Sequence, residues 1–237
     1  MNVIILRHHE AEKPGQIEKY ISYHQDNFQS IDLFAGQRIP EDAVYDAVVV
    51  MGGPMSVFDD DEYPWLREEK VFIAGAIDSG RKVLGVCLGA QLIAHVLGAG
   101  IRANEYKEIG WFDIEPSEDV ANTVYGTVFD SPITTFHWHG DTFDLPKNSI
   151  RLCKSMACRN QAFMTGRNVL ALQFHMEMTE EMINIWLERF KPDMTESPYV
   201  QSSAEIKSQK KNLVSNGLRL FRLLDVFFER TDYFAGK

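Results

Sequence analysis

The chain has 237 residues, which is enough for one domain with a substantial core or for one domain and an appendage. Its composition, 45% hydrophobic and 24% charged, is ordinary for a globular protein, and its net charge of −10 disfavours a broad nucleic-acid-binding surface. Three cysteines are too few, and odd in number, for a disulfide framework, so we expect a reducing, cytoplasmic setting.

Short apolar runs alternate with helical patterns through the first hundred residues. The predicted order is strand 2–7, a helix ending near residue 25, strand 30–34, strand 45–50, helix 63–79, strand 81–87 and helix 88–98. The stretch 81–100 is the one candidate for a membrane span, but Gln91, His95 and four glycines disfavour that interpretation. The alternation predicts an α/β fold with an open, mostly parallel sheet flanked by helices.

Beyond residue 101 the pattern changes to short strands and turns, which predicts a small antiparallel extension. The relevant runs are IGWFDIEP, VYGTVFD, TTFHWHG, SIRLCKS and QAFMTG. The run NVLALQFH returns to the pattern of a buried strand, and a helix is predicted at 179–190. We therefore assign residues 1–190 to the main domain. Residues 191–237 are assigned to a linker and an amphipathic helix that packs on the same domain.

Cys87 lies in the sequence Gly85-Val86-Cys87-Leu88-Gly89, at a predicted junction of strand and helix. This is the G-x-nucleophile-x-G pattern of a nucleophile elbow, in which flanking glycines permit a tight reversal of the chain. The start of the helix favours negative charge on the sulfur, and the Leu88 N–H would face an oxyanion formed by its attack on a carbonyl. A buried, unreactive cysteine is the alternative, so a catalytic assignment requires a base.

His175 is the histidine best placed to be that base. It follows the predicted strand VLALQF, and Glu177 follows two residues later. Because the carboxyl ends of parallel strands carry the sites of α/β sheets, the imidazole can face the thiol while the carboxylate holds its other nitrogen. Four other histidines are interpreted as surface or satisfied polar groups: His8, His9, His24 and His95.

Two further features bear on the site. In MGGPMS, Gly52 and Gly53 follow a buried strand and can bring a backbone N–H to a developing negative charge, as a second donor beside Leu88. His137 and His139 lack a clear carboxylate or cysteine partner in the sequence, so we expect no metal there. The remaining cysteines, Cys153 and Cys158, are predicted to be packed free thiols.

Together these motifs resemble the class I, triad-type glutamine amidotransferases, above all the glutaminase domain of GMP synthase. GVCLGAQ is similar to that family's nucleophile segment, MGGP to its oxyanion loop and LQFHMEM to its His-x-Glu segment. EIG at 108–110 and HGD at 139–141 match two further motifs in order and spacing. The chain departs from the family at Met176, where proline is usual, and at Trp138, where a small residue is usual.

The resemblance implies roles for individual residues. Cys87 is implied as nucleophile, His175 as base and later acid, and Glu177 as the residue that orients the imidazole. The oxyanion hole would use Leu88 with Gly53 or Gly52. Substrate binding is implied for the following residues: Gln91 at the α-amino acid end of glutamine, with the backbone around Trp138 and His139 holding the α-carboxylate.

The residues after 190 do not resemble an ATP-pyrophosphatase segment, so we expect a stand-alone, GMP synthase-like amidotransferase without a cofactor. Its substrate would be glutamine or another small γ-glutamyl compound. Three possibilities stay open: a glutaminase subunit that passes ammonia to a separate synthetase, a self-sufficient γ-glutamyl hydrolase or peptidase, and a non-catalytic binding protein. The triad by itself does not distinguish an ammonia leaving group from an amine.

Overall fold

A nine-stranded sheet forms the centre of the computed structural model, which describes residues 1–230. The strands are β1 (Asn2–Arg7), β2 (Asn27–Asp32), β3 (Ala47–Val50), β4 (Lys82–Val86), β5 (Ile101–Pro116), β6 (Ile133–Phe143), β7 (Ser149–Ser155), β8 (Ala162–Thr165) and β9 (Val169–Leu172). The helices are α1 (Gln16–Tyr23), α2 (Trp65–Asp78), α3 (Leu88–Val96), α4 (Glu180–Arg189), α5 (Ser203–Ser208) and α6 (Asn212–Phe227). Across the sheet the strand order is β2-β1-β3-β4-β9-β8-β7-β5-β6.

The half of the sheet from β2 to β9 is parallel. All four residues of β3 and of β9 are buried, because apolar clusters cover both faces of these strands. Because β1, β3, β4 and β9 run parallel as neighbours, their carboxyl ends lie along one edge of the sheet. The fold class predicted from the sequence is confirmed.

The half from β8 to β6 is antiparallel, as the texture beyond residue 101 predicted. One predicted strand there is wrong: VYGTVFD, at 124–130, forms turns. Tyr125, Val128 and Phe129 are buried in the core without pairing in the sheet, so their apolar pattern reflects burial alone. The second strand also begins and ends earlier than predicted, since Leu33–Ala35 form a 3₁₀ turn that ends at Gly36 in the left-handed conformation.

The segment after α4 is held against β5, although its two prolines had suggested a simple linker. The N–H of Ile109 donates to the Tyr199 carbonyl at 2.8 Å, and the N–H of Gln201 donates to the Ile109 carbonyl at 2.9 Å. Further along, α6 contacts α1, where the Tyr20 hydroxyl donates to Asp225 at 2.7 Å. The division at residue 190 stays a prediction, and positions 231–237 of the predicted extension lie outside the described residues.

The apolar stretch 81–100 is divided between β4 and α3. The turn between them carries Cys87. In the part of the chain from 1 to 230, no helix combines the length and apolar character that a membrane crossing requires.

Candidate active site

Cys87 occupies a strained turn between β4 and α3. Its backbone has φ 52° and ψ −108°, a conformation that costs free energy for any residue with a side chain. A Cβ on Gly85 would lie 2.5 Å from the Gly89 backbone, and one on Gly89 would lie 2.0 Å from the Val50 carbonyl oxygen. Both glycines are therefore required by space, as the elbow motif predicted.

Besides His175, the Cys87 sulfur has two polar neighbours, one on β6 and one just after β9. Its thiol donates to the Trp138 carbonyl oxygen at 3.7 Å, and the Gln173 side-chain amide donates to the sulfur at 3.7 Å. Gln91 donates in turn to the Gln173 amide oxygen at 3.2 Å. Gln173 was missed in the sequence, although a glutamine at the exit of the apolar run VLAL was a visible signal.

His175 and Glu177 form a close buried pair just beyond β9, the strand next to β4. His175 Nδ1 lies 2.6 Å from Glu177 Oε1, and the side chains are each 1% exposed. Burial alone would lower the pKa of His175, but the Glu177 carboxylate and the Cys87 sulfur raise it well above its ordinary value. The Nε2 atom has no nitrogen or oxygen partner among residues 1–230. It is thus available for proton transfer.

The glycine pair lies between the end of β1 and the start of α3. A Cβ on Gly53 would be 2.8 Å from the His8 Cβ and 2.9 Å from the Leu88 Cδ2. Within the described chain, neither the Gly53 N–H nor the Leu88 N–H donates a hydrogen bond to another protein group. Both of these predicted oxyanion donors are therefore unengaged near Cys87.

A cavity of about 340 Å³ opens above Cys87. Gly53 and the predicted substrate-binding residues Gln91, Trp138 and His139 line its walls. Further lining comes from four groups that the sequence did not single out: Glu12, Lys107, Phe190 and Asp193. A concave site of this volume, with mixed apolar and charged walls, has the dimensions of a pocket for a small polar molecule.

Glu12 is a buried carboxyl group in this cavity. Burial raises its pKa from 4.5 to about 7, with the neighbouring Glu177 adding to the shift and His175 and His8 opposing it. Its Oε2 atom has no hydrogen-bond partner within residues 1–230, and it lies 2.8 Å from where a Gly52 Cβ would be. No sequence motif had singled out this residue.

In the antiparallel half, Glu108 supplies the carboxylate that the sequence did not reveal beside His137 and His139. The expectation that these histidines lack such a partner was wrong, because the β5–β6 register pairs Glu108 with His139 and Gly110 with His137. One carboxylate oxygen of Glu108 lies 3.0 Å from His139 Nε2 and 4.0 Å from His137 Nδ1. One potential ligand atom from each of the three residues lies within 4.8 Å of the other two.

Hydrogen bonds already engage the Glu108 carboxylate. The Ser155 hydroxyl donates to one oxygen at 2.7 Å and the Gln161 amide to the other at 2.6 Å. Burial alone would raise the pKa of Glu108, but His137, His139 and Ser155 lower it to about 2. Burial lowers the pKa of His137 to about 4. We interpret the group as a buried carboxylate held by hydrogen bonds and by the two histidines, which supports the strand carrying Trp138 and His139.

Comparisons with known proteins identify the family of this chain. Residues 19–186 match the family model of glutamine amidotransferase class-I. The glutamine amidotransferase-like protein YfeJ of Salmonella typhimurium is 30% identical over 95% of this chain and 96% of its own length. A GMP synthase [glutamine-hydrolyzing] of Nitratidesulfovibrio vulgaris is 32% identical over 65% of this chain, but the match covers only 30% of that enzyme.

A solved structure agrees over nearly the whole chain. The crystal structure of a glutamine amidotransferase from Thermotoga maritima superposes with a TM-score of 0.86 at 30% identity, covering 97% of this chain and 98% of that one. The matched family region contains the elbow, the glycine loop and the His175–Glu177 pair. This chain belongs to the class-I glutamine amidotransferase family.

Proposed function

We propose that this protein hydrolyses the γ-amide of glutamine, or of another γ-glutamyl compound, through a thioester on Cys87. One observation carries the proposal: a strained, nearly buried cysteine faces a cavity and interacts with a histidine that is paired with a carboxylate at 2.6 Å. A cysteine activated by an imidazole that a third group orients is the arrangement of nucleophilic acyl transfer.

In the acylation step, the Cys87 sulfur attacks the δ-carbon of the substrate and the carbonyl electrons move to the oxygen. The N–H of Leu88 and one from the glycine loop stabilise this oxyanion. His175, kept protonated by Glu177, gives its Nε2 proton to the substrate nitrogen as the C–N bond breaks. Ammonia or an amine leaves, and a γ-glutamyl thioester remains on Cys87.

Deacylation follows the same order of steps, with water as the attacking group. His175 accepts a proton from a water molecule as the water oxygen attacks the thioester carbon. The resulting oxyanion occupies the same hole, and the C–S bond breaks as the carbonyl re-forms. Glutamate leaves, and the sulfur again lies beside a protonated imidazole.

Substrate selection is assigned to the cavity wall. Gln91, held by Gln173, is placed to contact the α-amino acid end of a glutamyl group, and the backbone of Trp138 and His139 would hold its α-carboxylate. Trp138 is bulkier than the small residue usual in the family. It therefore narrows the space beside the α-carboxylate subsite.

A glutaminase that supplies ammonia to a separate synthetase is the second candidate, because some matched relatives are GMP synthases in which this region covers only part of the enzyme. A γ-glutamyl peptidase would use the same thioester with an amine as leaving group. Measuring ammonia, amine and glutamate released from glutamine and from a panel of γ-glutamyl amides and peptides separates the two leaving groups.

Intact-mass trapping tests the thioester. Wild-type protein quenched in acid during turnover should gain the mass of one γ-glutamyl group, and Cys87→Ala should gain none. Cys153→Ala is the matched control, because Cys153 is also buried and free but lies away from the cavity. An adduct on Cys87→Ala, or none on wild-type protein with every substrate, would contradict the mechanism.

A further inference from the structure

His8, at the end of β1, forms two hydrogen bonds beneath the glycine loop. Its Nδ1 atom lies 3.0 Å from the Gly52 carbonyl oxygen, and its Nε2 atom lies 2.7 Å from Glu69 Oε1. The His8 and Glu69 side chains are fully buried, and the imidazole stacks on Trp65 at 5.5 Å. Two partners and a stacked ring hold this imidazole in one orientation.

The partners also determine where its protons are. A carbonyl oxygen only accepts hydrogen bonds, so Nδ1 must donate to Gly52. The Nε2 atom faces a carboxylate, which favours a proton there as well. Burial alone would lower the pKa of His8, but Glu69 raises it above its ordinary value.

The hydrogen bond to the Gly52 carbonyl also fixes the orientation of the Gly53 N–H. The peptide between Gly52 and Gly53 is trans, as no cis bond occurs in the described chain, so its C=O and N–H point in opposite directions. When His8 holds the oxygen on the β1 side, the Gly53 N–H is directed away from His8. That N–H has no protein acceptor within residues 1–230, and Gly53 packs beside Leu88.

Glycine residues impose little preference on the orientation of their own peptide, so a Gly-Gly loop needs an external contact to keep one orientation. We propose that His8, backed by Glu69, is a positioning residue that holds the Gly52–Gly53 peptide with the Gly53 N–H presented to the oxyanion. This inference rests on the proposed function. It assigns the donor to Gly53, the glycine of the pair that lines the cavity, and it implies that the protein alone carries a formed oxyanion hole without a partner subunit.

Two variants test it. His8→Leu with Glu69→Leu removes the contact and leaves no unpaired buried carboxylate, whereas His8→Asn keeps a donor close to the Nδ1 position. Without the contact, kcat should fall by about 10- to 100-fold, since a full oxyanion donor is worth about 10²–10³-fold. KM should change less than about threefold, and His8→Asn should recover most of the loss. His95→Leu, on the outer part of α3, is the matched control and should keep wild-type kcat.

Two readouts separate positioning from damage to the fold. Alkylation of Cys87 by iodoacetamide forms no oxyanion, so its rate should stay within about twofold of wild type in the double variant. A γ-glutamyl aldehyde forms a tetrahedral adduct with the thiol, so its inhibition constant should rise by the factor by which kcat falls. Thermal unfolding of each variant checks that the fold is retained.

Each result decides the question. Unchanged kcat in a folded double variant, a loss confined to KM, or equal losses in kcat and alkylation rate would overturn the role of His8. If wild-type protein instead forms no acyl adduct and hydrolyses no γ-glutamyl compound, the proposed function itself fails, and the inference fails with it. Turnover by wild-type protein only when a synthetase is added would overturn the formed oxyanion hole.

Discussion

The two halves of the sheet each contain a buried histidine–carboxylate contact, and the two contacts have different surroundings. In the parallel half, Nδ1 of His175 lies 2.6 Å from Glu177 while its other nitrogen has no nitrogen or oxygen partner within residues 1–230. In the antiparallel half, His139 Nε2 lies 3.0 Å from Glu108, whose oxygens also accept from Ser155 and Gln161.

The His175–Glu177 and His139–Glu108 pairs differ in how many hydrogen bonds their carboxylates accept, as expected of a catalytic pair and a structural one. A carboxylate with several donors stabilises its own charge and holds the donors in place, which lowers the pKa of Glu108 to about 2. A carboxylate with one main partner acts mainly on that partner, and here it raises the pKa of His175. The nitrogen left open beside a nucleophile is the one that can exchange a proton.

The largest expected effect is on the reactive pair. His175→Asn removes the proton carrier but keeps a side chain that can bond Glu177. We expect kcat to fall by about 10³–10⁴-fold with KM changed much less, because general acid and base catalysis are both lost. Steady-state glutamate release measures this. A loss of less than tenfold in folded protein would contradict the assignment of His175.

Substitution in the Glu108–His139 pair should lower the stability of the fold more directly than it lowers activity. Glu108→Gln removes the carboxylate that His139, Ser155 and Gln161 contact. A pKa held at about 2 instead of 4.5 corresponds to about 3 kcal/mol of unfolding free energy. Because the folded-state pKa of Glu108 lies below its ordinary value, its stabilising contribution is present above about pH 4.5 and is lost as the pH falls through about 2.

Urea unfolding of wild type and Glu108→Gln from about pH 7 to about pH 2 measures this contribution. The two proteins should differ at neutral pH and converge in acid. Glu115→Gln, on the same strand but exposed, is the matched control. A variant as stable as wild type at neutral pH, yet as inactive as His175→Asn, would mean that the cluster takes part in the chemistry.

Glu12 tests the comparison from the other direction, because it is a buried carboxyl group whose Oε2 atom lacks a hydrogen bond within the described chain. Its folded-state pKa is raised to about 7, so its unfavourable contribution is absent below about pH 4.5 and complete above about pH 7. Glu12→Gln should therefore stabilise the protein by up to about 3 kcal/mol at about pH 8 and by nothing at about pH 4.

The same unfolding series measures this difference, with Glu10→Gln as an exposed neighbour in the same segment. Destabilisation by Glu12→Gln at about pH 8 would mean that the ionised carboxylate has a partner that favours it. Glu12 would then resemble Glu108, whose carboxylate accepts several hydrogen bonds, and not the groups of the site that lack a hydrogen-bond partner.

The sequence was most informative where a motif and a strand end coincide. Cys87, the glycine loop and His175 each follow a buried apolar run, and parallel strands place such ends at one edge whatever their exact register. The need for glycine on both sides of Cys87 could also be predicted, because the turn cannot close around larger side chains. These positions could be predicted without knowing any long-range contact.

The rest depended on contacts between residues distant in the sequence. Glu108 meets His139 only because of the β5–β6 register, which follows an irregular step between Ala103 and Glu108. His8, just after β1, contacts Glu69, which lies 61 positions away on α2. A local pattern cannot specify such pairs, and the partly apolar run at 124–130 likewise gave no sign that it would form turns instead of joining the sheet.

The anchoring of the segment after α4 onto β5 separates reactivity from selectivity in the chain. Phe190 and Asp193, from this segment, form part of the cavity wall, while Tyr199 and Gln201 fasten it through Ile109. The proposed nucleophile and base come from other stretches of the chain. We therefore expect substitutions at residues 190–202 to change which molecules the cavity admits without altering Cys87, His175 or Glu177.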